Sequence, residues 1–243
     1  MKLRPVFRFA WLVVLFSWPL ETIAYRPFVS TDAAVVEKGS AEIELGIVDY
    51  SNHRGRITLD APDLRFNFGF AKGWEISVEG AMQVSDSTDG HRFRIMDPEL
   101  NIKTMLLNGP LQERGGPLGL AFEMAAVLPG SSGDSGVGVE AVMIASWRTG
   151  NFTWHLNAGL GWQRELREPN AVWGLIVERK LSKALSVAAE FHGESARHTG
   201  PVNSALLGLL WEHGRITYDV GVSFGLSAAA ADVAFSVGLT FKL

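Results

Sequence analysis

The sequence predicts an all-β protein, a closed up-and-down antiparallel transmembrane β-barrel of about 12 strands. Three observations predict it. Apolar and polar residues alternate with a period of two over nearly everything after Gly39, most alternating segments run ten to thirteen residues, and the tryptophans beyond residue 24 sit near segment ends on the apolar side. Successive side chains of a strand point to opposite faces, so this alternation writes one wet face and one greasy face. No helix separates the same residues. Strands of soluble sheets average about 5–6 residues, whereas roughly 9–11 tilted residues cross a hydrocarbon layer.

Composition removes the competing classes. Hydrophobic residues at 47% and charged residues at 20% exclude a disordered chain. The single long apolar run, Phe9–Leu20, excludes a bundle of membrane-spanning helices. With Cys 0, disulfide scaffolds, thiolate metal sites and cysteine nucleophiles go together. A formal net charge of -4 gives no reason to expect nucleic acid as a partner.

Residues 1–24 read as a cleavable signal peptide, with Lys2, Arg4 and Arg8 before an apolar stretch of 12 and a small residue, Ala24, at its end. Residues 25–39 form a periplasmic N-terminal segment, and a tail, an inserted plug or a contact for a periplasmic partner all fit it. The barrel occupies 40–243. Its strands are expected at about 40–49, 63–71, 74–84, 97–107, 117–128, 136–148, 151–163, 171–181, 184–194, 203–212, 215–225 and 232–243. In 63–71, Leu64, Phe66, Phe68 and Phe70 share one face against Asp63, Arg65, Asn67 and Gly69; the closing strand sets Val233, Phe235, Val237, Leu239 and Phe241 against Asp232, Ser236, Thr240 and Lys242. The segment 203–212 fits least well, because Leu206 and Leu210 fall on its polar side.

The connections alternate in length. Short turns stand at 72–73, 149–150, 182–183 and 213–214, with a longer one at 108–116; between them come the polar links 50–62, 85–96, 129–135, 164–170, 195–202 and 226–231. Short periplasmic turns, longer external loops and an even strand number are the pattern of outer-membrane barrels. The tryptophans agree. Trp74, Trp147, Trp154 and Trp211 adjoin short turns, while Trp162 and Trp173 flank the loop 164–170, as two interfacial girdles require.

On the inward face, Arg65, Glu79, Lys103 and Glu123 fall on four successive strands with alternating sign, and are expected near one level. Such a ladder either stabilises the wall or forms a charged constriction that selects solutes. Glu140, His155, Glu190 and His192 are further lumen candidates in a lining that is acidic overall, with Val142 and Ile144 making it partly apolar. That lining repels small anions and admits cations or neutral molecules. No serine stands in a recognisable nucleophile context, so no catalytic residue is assigned, and no metal or cofactor is expected.

The segment Tyr25–Ala33, followed by Lys38–Glu44, Pro62–Gly69, the turn at Lys72-Gly73-Trp74 and the closing Val237–Leu243, resembles the outer-membrane barrel family named for the MetA-pathway of phenol degradation. The resemblance covers most of the chain beyond residue 24. It implies transporter-like barrels concerned with aromatic compounds and assigns no catalytic residues. The chain ends in Leu243 rather than the usual phenylalanine, with Phe241 nearest. The expected function is therefore a porin-like outer-membrane channel of a Gram-negative bacterium for passive movement of small, neutral or hydrophobic solutes. Its expected partners are outer-membrane lipid, the solute, and the barrel-assembly machinery during biogenesis. The alternatives are a lipid-modifying enzyme and a structural barrel with a plugged lumen.

Overall fold

Each alternating segment becomes a strand, and each strand pairs with its neighbours in the chain. The computed structural model describes residues 26–87, 90–112, 115–130, 136–163, 168–196 and 200–243; the signal peptide expected at 1–24 lies outside them. The strands are β1 (Ala41–His53), β2 (Arg56–Ala71), β3 (Trp74–Ser87), β4 (Gly90–Leu107), β5 (Leu118–Val127), β6 (Gly138–Thr149), β7 (Phe152–Gln163), β8 (Glu168–Lys180), β9 (Leu185–Ala196), β10 (Val202–His213), β11 (Ile216–Gly225) and β12 (Val233–Lys242). All pairs are antiparallel, and β12 returns to β1 with Glu42 opposite Lys242, so the barrel is closed. Closure leaves no strand edge with unpaired backbone groups, which a sheet surrounded by hydrocarbon requires.

The burial pattern is that of a soluble protein turned inside out. The buried side chains are largely polar, with Asn67, Ser146 and Thr240 at 0% exposure, while Val78 is 54% and Leu207 61% exposed on the outer face. A charge placed on that outer face near the middle of a lipid-embedded strand costs about 2–4 kcal/mol. Leu156, outward and central on β7, is the place to test it. Leu156→Arg is expected to lower unfolding free energy by about that amount in lipid vesicles, read from urea titration of the folded, heat-modifiable band.

Two expected loops are strands instead. The links 50–62 and 85–96 are the upper parts of long hairpins, β1–β2 turning at Arg54-Gly55 and β3–β4 running up to Ser87 and Gly90. Arg54 and Gly55 both hold positive φ (51° and 83°), the two-residue turn that matches strand twist. These stretches are rich in polar residues, and only short apolar pairs, Ile57 with Leu59 and Phe93 with Ile95, carry the alternation into them. Leu206 and Leu210 do point inward, 5% and 6% exposed, because Gly208 between them meets a chain segment inside the barrel.

Candidate functional site

Residues 26–39 run inside the barrel. Gly39 donates its N–H to Gly69 O at 2.7 Å, and Lys38 makes a single parallel bridge to the same residue. From there the chain circles the wall as a belt, held at almost every step by an inward side chain. Val36 N donates to Glu75 of β3 at 2.7 Å, and Gln112 Nε2 donates to Val35 O at 3.0 Å. Ala33 N donates to Ser146 Oγ of β6 at 2.8 Å. Thr31 exchanges hydrogen bonds with the Asn157 amide on β7, at 3.2 and 2.7 Å. Glu190 of β9 accepts from both Val29 N (3.0 Å) and Ser30 N (2.7 Å). Pro27 lies against Gly208 of β10 and Gly221 of β11. Arg26 closes the circuit between Asp49 of β1, Asp63 of β2 and Asp219 of β11.

The wall is cut to fit. Gly46, Gly69, Gly174, Gly208, Gly221 and Gly238 all face inward, and at each a Cβ would strike the belt. At Gly208 and Gly221 it would lie 2.9 and 2.8 Å from Pro27, and at Gly69 it would run into the carbonyl oxygens of Val36 and Glu37. A strand glycine marks close approach of another backbone, and six on one inner surface mark a track.

The expected lumen residues divide between belt, wall and cavity. Arg65 and Glu79 are register partners, paired at 2.9 Å, and Arg65 also reaches Glu123 at 3.5 Å. Lys103 is opposite Glu75 and Glu123, and its ammonium lies 3.2 Å from Thr31 Oγ1 and 3.7 Å from Asp32 Oδ1. The single level expected for these four does not form. Glu79 stands beside Glu99 on β4, and Lys103 lies lower, because β4 continues as Met105–Leu107 past Trp74, where β3 begins. His155 is 2% exposed and lies between Ser146 Oγ (2.8 Å from Nδ1) and Glu178 Oε1 (3.1 Å from Nε2). That row has the composition of a hydrolytic triad, yet its serine is 0% exposed under the belt and its hydroxyl accepts from Ala33 N. It positions the belt.

Two cavities lie within the barrel beside the belt. One, about 400 Å3, has Phe28, Val29, Ser30 and Thr31 on one side and is walled by Val142, Val172 and Val202 together with Glu123, Glu140, His192 and Glu194. His192 Nδ1 lies 3.5 Å from Glu190. The other, about 210 Å3, is lined by Asp49, Asp60, Asp63, Glu79 and Glu99 with Gln83 and Met96. Among the described residues, no group of three or more His, Asp or Glu is arranged to hold a metal ion. At one end Trp147 stacks on its partner Trp154 with centroids 6.1 Å apart, Trp211 stacks on Tyr218, and Trp74 lies against Phe70. Trp162 lies at the other end, in β7, whereas Trp173, expected to flank the same loop, falls mid-strand in β8 opposite Ala158, because β8 begins at Glu168 rather than near 171.

A closed twelve-stranded barrel with a polar lumen and an apolar outer wall is the architecture of porin-type channels. The chain belongs to the family described as uncharacterised conserved protein UCP029691, whose model matches residues 27–242. That match includes the belt. No curated protein matches the chain. Among solved structures, the fold is similar to the NanC porin, with 13% identity, TM-score 0.61 and coverage of 84% of this chain and 100% of that one. It is also similar to the COG4313 outer membrane channel from Pseudomonas putida F1, with 8% identity, TM-score 0.60 and coverage of 86% and 97%. The KdgM porin follows at 11% identity and TM-score 0.58, with coverage of 84% and 99%.

Proposed function

We propose that this protein is an outer-membrane channel for passive movement of small, neutral or hydrophobic solutes, aromatic ones among them, with the belt as its gate. The observation that carries the reading is how the belt is held. Its contacts are side-chain hydrogen bonds, ion pairs and the packing of Ala33 against Ala121 and Ile144, with one backbone bridge at Lys38–Gly69, rather than a strand ladder. Such contacts can open one after another while the barrel stays closed by its own twelve pairings.

The larger cavity supports the solute class. At about 400 Å3 it falls in the range of roughly 300–1,000 Å3 usual for small-molecule sites. Val142, Val172, Val202 and Phe28 offer an apolar bed for a ring, while Glu140, His192 and Glu194 can meet a hydroxyl. The resemblance of the opening segment to the phenol-degradation barrel family points the same way. The tryptophan girdles and the alternating close of β12 fit insertion into the outer membrane by the barrel-assembly machinery, after removal of residues 1–24.

Single-channel recording in planar bilayers, with and without phenol, tests this reading. Small, infrequent openings whose current falls as phenol occupies the lumen are expected. Intact bilayers that never conduct, under conditions where the folded barrel is inserted, would leave the structural barrel with a plugged lumen.

A further inference from the structure

At the end of the barrel that carries the short turns, a cation stands on the outer face among the aromatic rings. Phe152 and Trp154 of β7 are register partners of Arg179 and Val177 of β8 and share their face. The guanidinium carbon of Arg179 lies 5.5 Å from the centre of the Phe152 ring, and that ring lies 6.4 Å from Trp154. An arginine seated on an aromatic face at this depth lays its stem along apolar surface and keeps its charged head at the level of the headgroups.

Going round the wall from β8 to β12, the next short turn adds Lys183 and the one after it Arg215, and all three cations are exposed. The turns lie side by side. Glu212 N donates to Ala184 O at 2.8 Å, and Lys242 N donates to Arg215 O at 3.0 Å. Trp211 stacks on Tyr218 in the same stretch, with centroids 5.3 Å apart. The acidic residues of this arc, Glu178 and Glu212, have inward parity and are already engaged, the first by His155 and the second by Lys180 at 4.0 Å. Arg179, Lys183 and Arg215 have no acidic partner among the described residues. The arc is therefore a surface of one sign of charge, set directly against a row of interfacial rings.

From this we propose that the arc binds the phosphodiester headgroups of anionic phospholipids and so holds the short-turn end of the barrel in the leaflet that carries them. The occupant is a lipid rather than a soluble acid, because Arg179 stands on the face the strands turn toward hydrocarbon and the rings beside it belong at the bilayer interface. A guanidinium pairs with two phosphate oxygens at once, and the two neighbouring turn cations meet further headgroups. Each Lys or Arg at a negatively charged membrane surface adds an attraction that salt screens. The short turns of outer-membrane barrels face the periplasm, so the periplasmic leaflet supplies the lipid. The inference needs the barrel in a bilayer and is independent of whether any solute passes through it.

Quenching of tryptophan fluorescence by brominated lipid tests this, since Trp154 and Trp211 lie in the arc. The protein, residues 25–243, is folded into phosphatidylcholine vesicles that contain a fixed fraction of brominated lipid, either phosphatidylglycerol or phosphatidylcholine. At low salt the phosphatidylglycerol is expected to quench more, which gives its binding constant relative to phosphatidylcholine. That ratio falls about fivefold in Arg179→Gln and approaches one in the triple variant Arg179→Gln, Lys183→Gln, Arg215→Gln. Arg179→Lys keeps the charge and most of the preference, and high salt removes the preference from the unmodified protein, so these two arms need no charge-removing variant to fold. Equal quenching by the two lipids at low salt, or a preference that the folded triple variant retains in full, overturns the proposal.

Discussion

A protein lacking residues 25–38, refolded from Gly39 onward, is expected to conduct severalfold more current per channel than the full mature chain. The barrel itself should survive the deletion. Its twelve strand pairings involve no belt residue, and the single backbone bridge lost is Lys38–Gly69. What the deletion exposes is partly apolar, Ala121, Ile144, Leu206 and Leu210 among it, and partly polar. Glu75, Ser146, Asn157 and Glu190 lose the backbone N–H groups they accept from. In a sealed core such orphaned acceptors would be expensive, about 1–3 kcal/mol each. Here water takes the place of the belt as it leaves, so most of that cost is recovered. The rise in conductance is checked by single-channel recording beside the full chain, with the heat-modifiable band confirming that the barrel is folded. Equal conductance in both would mean that ions pass by a route the belt does not control.

Gly69→Val should produce a leaky channel between those two limits. Gly69 is a β2 residue without positive φ, and valine suits a strand, so the wall accepts the new side chain. The belt does not, because the added carbon runs into the carbonyl oxygens of Val36 and Glu37. Overpacking of this kind costs about 1–3 kcal/mol. Placed on the docked state alone, it lowers the ratio of docked to undocked belt by roughly 5–150-fold. Longer open times are therefore expected, together with cleavage of the belt by added protease. Gly80→Ala is the control, since a Cβ there meets nothing closer than 3.6 Å. It should leave the channel as closed as the parent.

The strands and their two faces were legible because a barrel wall is a repeating local pattern. Leu64, Phe66 and Phe70 against Arg65 and Asn67 need no knowledge of the rest of the chain. The upper hairpins were not legible, since around Arg54-Gly55 the alternation shrinks to Ile57 and Leu59 among polar residues, too short a run to stand out. Levels across strands were only partly legible. Arg65 and Glu79 did meet, but the placement of Lys103 depended on how far β4 overruns β3 at its end, a property of two strands together.

The belt was the largest thing missed. Residues 26–39 carry no periodicity, because their conformation is dictated by the wall they lie on. Its signal stood in the strands instead. Gly46, Gly69, Gly174, Gly208, Gly221 and Gly238 all share the inward parity, where a polar or charged residue would otherwise be expected. Leu206 and Leu210, which looked like flaws in one strand, flank one of those glycines. A row of missing side chains on the wet face is what a second chain inside a barrel looks like in sequence.

The account depends on the belt lying against the inner wall of a membrane-embedded barrel, and one cross-link tests that directly. A Cβ built on Gly119 lies 3.5 Å from the Cβ of Ala33, within the roughly 3.5–4.5 Å that a disulfide spans. The chain has no other cysteine to confuse the result. Protein carrying Ala33→Cys and Gly119→Cys, folded into lipid vesicles and oxidised, is expected to form the disulfide within each molecule in high yield and to hold the channel shut until a reductant is added. Free thiols that react with a membrane-impermeant maleimide under the same oxidation, with no cross-link in folded protein, would place the segment outside the barrel and contradict the account.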